Sequence, residues 1–170
     1  ILEEAGLPPG IIQFVPAKGE DFGRTITQSP NLAAITFTGS TKTFKTLWKW
    51  VADNLDNYRT FPRLVGECGG KNFHLVHPSA DLTTVVYGTI RSAFEYSGQK
   101  CSACSRAYIP RSFAKQFFSQ MKTIMSEQLR IDSPLKSETF TSAVIDRASF
   151  NRIKGYLDHA RTSKSTKIVV

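Results

Sequence analysis

Short apolar runs rich in β-branched and aromatic residues alternate with helical stretches along this chain, and this alternation limits its fold more than any other feature. One run, residues 10–15, follows two prolines and stops at Pro16, and a second covers residues 32–37. Both are predicted as strands, with a short helix over residues 20–28 between them. Strands that are separated by crossover helices usually pair in parallel. The sequence therefore predicts an α/β fold with a mainly parallel sheet.

The same alternation continues to the end of the chain. Strands are predicted over residues 64–65, 73–76, 107–110 and 167–170, and helices over residues 41–55, 82–96, 111–129 and 147–161. Ser40 or Thr41 is suited to cap the first of these helices, and Ser79 or Asp81 the second. One face of the third helix is apolar and is predicted to be core; it consists of Phe113, Phe117, Phe118, Met121 and Met125.

Charge and composition exclude some classes of partner. The net charge is +8, but the basic residues are scattered rather than gathered into a stripe, so we expect no nucleic-acid partner. No apolar stretch approaches the ~20 residues that a membrane-spanning helix needs, so no membrane partner is expected. Three cysteines without a secretory signal favour a reducing compartment. The chain begins at Ile1 rather than Met and ends in a strand-like run, so we expect an internal segment of a longer protein.

Cys101 and Cys104 form a CxxC pair, which taken alone suggests a redox dithiol or half of a zinc site. Zinc would need two further ligands. His74 and His77 lie in a strand-like segment that points them to opposite faces, so no metal site is expected. Packing inside the protein suits Cys104 and Cys68.

Cys101 has neighbours that suit a nucleophile. Gly98 allows close approach of the backbone, and Lys100 brings positive charge that favours the thiolate. A nucleophile also needs a base. Glu67, 34 residues upstream, is predicted to lie on a glycine-rich turn over residues 66–70, where substrate and solvent can reach its carboxylate.

Three motifs carry a family resemblance. Residues 66–71 (GECGGK) resemble the glutamate motif of the aldehyde dehydrogenase superfamily, residues 97–101 (SGQKC) its cysteine motif, and residues 37–41 (FTGST) its cofactor motif. Their order, and the spacing between the first two, also resemble the family. The resemblance implies that residues 1–64 are the C-terminal part of a Rossmann-like NAD-binding domain. Residues 65–170 would then be the N-terminal part of an α/β catalytic domain of the aldehyde dehydrogenase fold.

The resemblance also implies roles for single residues. Cys101 would attack the aldehyde and pass through a thiohemiacetal and a thioester, and Glu67 would be the general base that activates water. The implied NAD contacts are Gly19, Gly23, Phe37, Gly39 and Ser40. One departure is Phe44, which stands where many family members have glycine. A similar residue is found in one subgroup of the family.

That subgroup oxidises glutamate γ-semialdehyde to glutamate in mitochondrial proline breakdown, and residues 59–64, 70–74 and 92–106 resemble it most closely. The resemblance implies that Lys100 and Ser102 bind the substrate. It also implies that the protein is located in the mitochondrial matrix and that the full-length enzyme is a homo-oligomer. The segment alone, without the rest of the parent chain, is expected to be inactive. Two alternatives stay open at this point: a noncatalytic binding or structural module, and a CxxC thiol oxidoreductase.

Overall fold

The structure, a computed structural model, describes residues 1–169. The chain divides into two compact units, Ile1–Cys68 and Gly69–Val170, and each is described by itself. The division falls close to the domain boundary predicted after Leu64, and that boundary stays a prediction. No helix in the described range is long and apolar enough to cross a membrane.

In the first unit, helix α1 (Gly19–Thr27) precedes strand β1 (Ala34–Gly39), helix α2 (Thr41–Ala52) and strand β2 (Arg63–Cys68). The two strands pair in parallel, and Phe37 lies opposite Gly66 in the register. Helix α2 presents an apolar face to β1, so that the core consists of Ile35, Leu47 and Val51. Ser40 caps α2 by accepting the Thr43 N–H at 3.1 Å, as predicted.

The second unit repeats this arrangement. Strand β3 (Asn72–Leu75) pairs in parallel with strand β4 (Cys104–Tyr108), and helix α3 (Leu82–Phe94) connects them. A short 3-10 turn (Glu95–Gly98) follows α3, and helices α4 (Arg111–Glu127) and α5 (Arg147–Thr162) complete the unit. The predicted α/β fold with parallel pairing is confirmed.

Helices α3 and α4 form the core of the second unit through Val86, Ile90 and Phe117. Asp81 caps α3, as predicted, by accepting the Thr84 N–H at 2.7 Å. Met121 and Met125 of α4 pack against this core, whereas Phe118 is 41% exposed. Most of the predicted apolar face of α4 is therefore core, and Phe118 lies at its edge.

Two predicted strands are absent from the described residues. Residues 10–15 are irregular and exposed, with Phe14 91% accessible. A strand needs a neighbour to satisfy its backbone, and in this unit only β1 and β2 pair with each other. Residues 167–169 are likewise irregular. The last residue of that predicted strand, Val170, lies outside the described residues.

Candidate active site

Cys101 is an exposed free thiol on the loop that enters β4. Its backbone is tied to the other strand of the sheet, because Asn72 at the start of β3 donates a side-chain hydrogen bond to the Cys101 carbonyl at 2.5 Å. Gly70 approaches the same carbonyl so closely that an added Cβ would lie 3.3 Å from it. The sulfur is thus accessible, while the backbone that carries it is held at the sheet edge.

The loop before Cys101 has an uncommon backbone. Tyr96, Ser97 and Gly98 are three successive left-handed residues, with φ of 56°, 57° and 70°. For the two residues with side chains this conformation costs roughly 1–2 kcal/mol each. Such strain persists where the surroundings fix it, and it concentrates at functional sites.

Gly98 is required at its position for two reasons, and we predict that Gly98→Ala lowers the free energy of unfolding. An added Cβ would lie 3.0 Å from the Ala93 carbonyl oxygen, at a φ that side chains rarely adopt. The expected loss is about 1–3 kcal/mol, measured by urea unfolding of the protein that carries this sequence. Gly88→Ala in α3 is the matched control, because its Cβ would meet no atom within 4 Å. Equal stability of the two variants would contradict this account.

The predicted substrate residues flank Cys101. Lys100 pairs with Glu95 through a 3.1 Å contact between its ammonium and the carboxylate, and Arg91 lies 3.7 Å from the same carboxylate. The hydrogen bond and charge of Lys100 hold the pKa of Glu95 below its ordinary value. Ser102 is exposed on the turn. The positive charge of Lys100, which is predicted to favour the Cys101 thiolate, is therefore also paired with the Glu95 carboxylate.

A cavity of about 680 Å³ lies beside this loop, and its walls include Ser97, Gln99, Lys100 and residues 139–143. The other two cysteines are half-buried free thiols, and the Cys104 Sγ donates to the Arg106 carbonyl at 3.2 Å. Across residues 1–169, no three metal-binding side chains come together.

Glu67 does not lie on a turn, and this part of the prediction is wrong. It is an exposed residue inside β2, paired with Thr38 of β1. The glycine-rich appearance of residues 66–70 is misleading because Gly66 continues the strand. The turn begins only after Cys68, where the strand ends.

Gly66 lies within the strand opposite Phe37, and an aromatic ring lies beside its Cα. Phe44 of α2 lies so close that any Cβ on Gly66 would overlap its ring. Phe44 also stacks on Phe37, with 5.7 Å between ring centroids and 10° between planes. Phe44, which stands where many family members have glycine, therefore occupies the space that a side chain at position 66 would need.

Three of the five predicted cofactor residues line a cavity of about 710 Å³ between α1, β1 and α2. Gly19, Gly23 and Phe37 line it, and Gly39 and Ser40 lie where β1 passes into α2. Gly23 is buried, and an added Cβ would lie 3.0 Å from the Trp50 ring. Gly23 therefore also allows α1 and α2 to approach each other.

Ser40 is engaged in the helix itself. Its Oγ accepts the Thr43 N–H and lies 2.8 Å from the Thr43 hydroxyl. The backbone N–H groups of Thr41 and Lys42 belong to the first turn of α2, where no intrahelical acceptor is available. The helix terminus thus offers backbone donors to an anion, while the serine side chain serves as N-cap.

A model of the aldehyde dehydrogenase family matches residues 1–170. The chain belongs to the aldehyde dehydrogenase family. The predicted resemblance is thereby confirmed. The α/β fold agrees with solved aldehyde dehydrogenase structures.

Several relatives are similar over 99% of this aldehyde dehydrogenase chain. It is 60% identical to mitochondrial Δ1-pyrroline-5-carboxylate dehydrogenase of Danio rerio and 59% identical to that of Homo sapiens. It spans 30% of the length of these curated relatives. A solved Δ-pyrroline-5-carboxylate dehydrogenase from Mycobacterium tuberculosis, bound with NAD and cobalamin, is 39% identical with a TM-score of 0.91. The match covers 99% of this chain and 32% of that one.

Sequence reasoning missed the residues that hold the cysteine loop. The sequence marks Ser97 only as part of the motif at residues 97–101, and it gives no role to Asn72, Thr141 or Ser142. Asn72 alone has a local signal, since it directly follows the glycine turn. The contacts of Thr141 and Ser142 join residues 44 and 45 positions apart, which no local pattern marks.

Proposed function

We propose that this chain is a segment of an NAD-dependent dehydrogenase that oxidises L-glutamate γ-semialdehyde (Δ1-pyrroline-5-carboxylate) to L-glutamate. The observation that carries the proposal is Cys101, an exposed thiol on a strained loop that a hydrogen bond tethers to β3. The chain that contains it is about 60% identical to enzymes named Δ1-pyrroline-5-carboxylate dehydrogenase. The names of those relatives also support a mitochondrial location. The full-length enzyme is proposed to be a homo-oligomer. The noncatalytic module and the CxxC oxidoreductase are not favoured.

The proposed reaction begins with attack of the Cys101 thiolate on the aldehyde carbon, which gives a thiohemiacetal. Bound NAD would supply the acceptor for the hydride of this carbon, and Cys101 would then carry a thioester. Glu67 then takes a proton from water as the water attacks the thioester. Glutamate leaves, and the thiolate of Cys101 is restored. The Cys101 N–H is a donor for the oxyanion.

Glu67 is proposed as the general base because its side chain is exposed on β2. Hydrolysis of a thioester needs a group that takes a proton from the attacking water, and an exposed carboxylate can do so.

The residues of the first unit fit a dinucleotide. The cavity between α1 and α2 has apolar walls that include Phe22, Leu47 and Trp50, which suit a flat base. The free N–H groups at the start of α2, beside Gly39 and Ser40, suit a pyrophosphate. These two features support NAD as the cofactor, and a relative solved with NAD bound supports it further.

Ser102 is proposed to bind the α-carboxylate of the substrate, together with Lys100. A hydroxyl and an ammonium group are suitable donors for a carboxylate. We predict that Ser102→Ala in the intact enzyme raises KM for glutamate γ-semialdehyde at least about tenfold, the size of one lost charge-assisted hydrogen bond. KM for a simple aliphatic aldehyde should change little. Steady-state NADH formation with both substrates measures the difference.

The control is Ser126→Ala, which removes an exposed hydroxyl from α4 and should leave both KM values unchanged. Equal effects of Ser102→Ala on the two substrates would refute the assignment of Ser102. Failure of the unmodified enzyme to prefer glutamate γ-semialdehyde over the aliphatic aldehyde would refute the proposed substrate.

A further inference from the structure

We infer that Thr141 is a positioning residue for Cys101: its hydroxyl fixes the left-handed turn before the cysteine and thereby aims the sulfur. This inference rests on the proposed function, because it assigns a role in presenting the nucleophile. Residues 96–101 contact residues 141–145 within the second unit, through hydrogen bonds of Ser97 and Gln99.

The Thr141 hydroxyl both accepts and donates. Its Oγ1 accepts the Ser97 N–H at 2.7 Å and lies 2.9 Å from the Ser97 Oγ. The Ser97 hydroxyl donates its own proton to the Ser142 carbonyl at 2.6 Å. The proton between the two hydroxyls must therefore come from Thr141. The Thr141 hydroxyl thus acts as both acceptor and donor towards a single left-handed residue, Ser97.

This loop is only partly packed, because Ser97, Gly98 and Gln99 are half-buried, and hydrogen bonds do much to hold it in place. Tyr96 is 66% exposed, and Ser97 and Gln99 border the cavity of about 680 Å³. Close packing is what usually fixes a strained backbone in a protein interior. Since this loop faces a cavity and solvent, loss of its hydrogen bonds would let the left-handed residues relax.

Thr141 is itself fixed from the other side. Its carbonyl accepts the Asp132 N–H at 3.3 Å, and its N–H donates to the Arg130 carbonyl at 3.4 Å. A parallel bridge joins it to Ile131. Residues 130–132, just beyond α4, thus provide an anchor that does not depend on the cysteine loop.

Two further hydrogen bonds hold the chain between Ser97 and Cys101 in place. The Gln99 side chain accepts the Ile145 N–H at 3.0 Å, and Asn72 holds the Cys101 carbonyl. The loop is therefore attached at Ser97, Gln99 and Cys101. Thr141 makes the attachment at the strained residue, where the backbone has most to gain by relaxing.

The test compares Thr141→Val, which keeps the shape and loses the hydroxyl, with Thr141→Ser, which keeps the hydroxyl. In the intact enzyme we expect Thr141→Val to lower kcat about 10- to 100-fold, since a misplacement of about 1 Å can cost 100-fold. The rate constant for alkylation of Cys101 by iodoacetamide should change as well, while KM for NAD stays within about twofold. Thr141→Ser should restore most of both rates.

Thr162→Val is the control. The Thr162 hydroxyl donates to the carbonyls of Asp158 and His159 at 3.2 and 3.1 Å within α5, and it does not line the cavity beside the cysteine loop. If Thr141→Val behaves like Thr162→Val, or if Thr141→Ser is as impaired as Thr141→Val, the inference is overturned. Should Thr141→Val not fold, Ser97→Ala removes the hydroxyl partner instead, and its kcat must fall at least about threefold for the inference to stand.

Failure of this inference can be distinguished from failure of the proposed function. If Cys101→Ala keeps its dehydrogenase activity, the proposed function is wrong. If Cys101→Ala is inactive while Thr141→Val keeps wild-type kcat and alkylation, only the positioning role of Thr141 is wrong.

Discussion

Replacing Cys101 with alanine in the intact enzyme is expected to abolish NADH formation, with a loss of kcat of more than about a thousandfold. Hydride cannot leave the carbonyl carbon until a nucleophile has made it tetrahedral, and alanine has no group that can do so. Steady-state turnover with glutamate γ-semialdehyde measures the loss. Binding of NAD, measured by fluorescence titration, should be retained, because the proposed cofactor residues belong to the first unit.

Cys104→Ala is the control for this experiment. Cys104 begins β4, is half-buried and donates to a backbone carbonyl, so this variant should retain most of the turnover. An enzyme that used the CxxC pair as a dithiol would instead lose its activity with either substitution. Equal inactivation by both substitutions would therefore overturn the assignment of Cys101 as a single nucleophile.

Glu67→Gln is expected to slow steady-state turnover about 100- to 10,000-fold, the usual contribution of a general base. The first turnover should survive, because formation of the thioester precedes the step that needs the carboxylate. Rapid mixing of enzyme, NAD and aldehyde should therefore show a burst of about one NADH per active site, followed by a slow phase.

Glu127→Gln, at the exposed end of α4, tests whether loss of any surface carboxylate has this effect, and it should turn over normally. If Glu67→Gln loses the burst as completely as the steady state, Glu67 acts before the thioester forms. The proposed role in hydrolysis would then be wrong.

Local signals in the sequence predicted the elements that depend on nearby residues. Ser40 and Asp81 each cap a helix through an amide three residues ahead, and this relation is visible in the sequence. The helices that follow them begin at Thr41 and Leu82, directly after one of the two cap candidates predicted for each. Parallel pairing followed from the alternation of strands and helices.

Features that depend on distant residues were missed or wrong. Residues 10–15 have the composition of a strand, but a strand exists only when another strand pairs with it. Glu67 was placed on a turn because glycine usually marks one, whereas Gly66 here makes room for Phe44. The contact between Ser97 and Thr141 spans 44 positions and has no local signature.

The pairing of Phe44 with Gly66 has a consequence for mutagenesis of this protein. Any side chain placed at position 66 enters the space of the Phe44 ring, so a scan of single substitutions will score position 66 as intolerant. If position 44 carries a small residue, the same scan should find several side chains tolerated at position 66, because the space of the Phe44 ring is then free beside the strand. Directed-evolution libraries aimed at the residue next to Glu67 should therefore vary positions 44 and 66 together. The side chain at either position limits which side chains fit at the other.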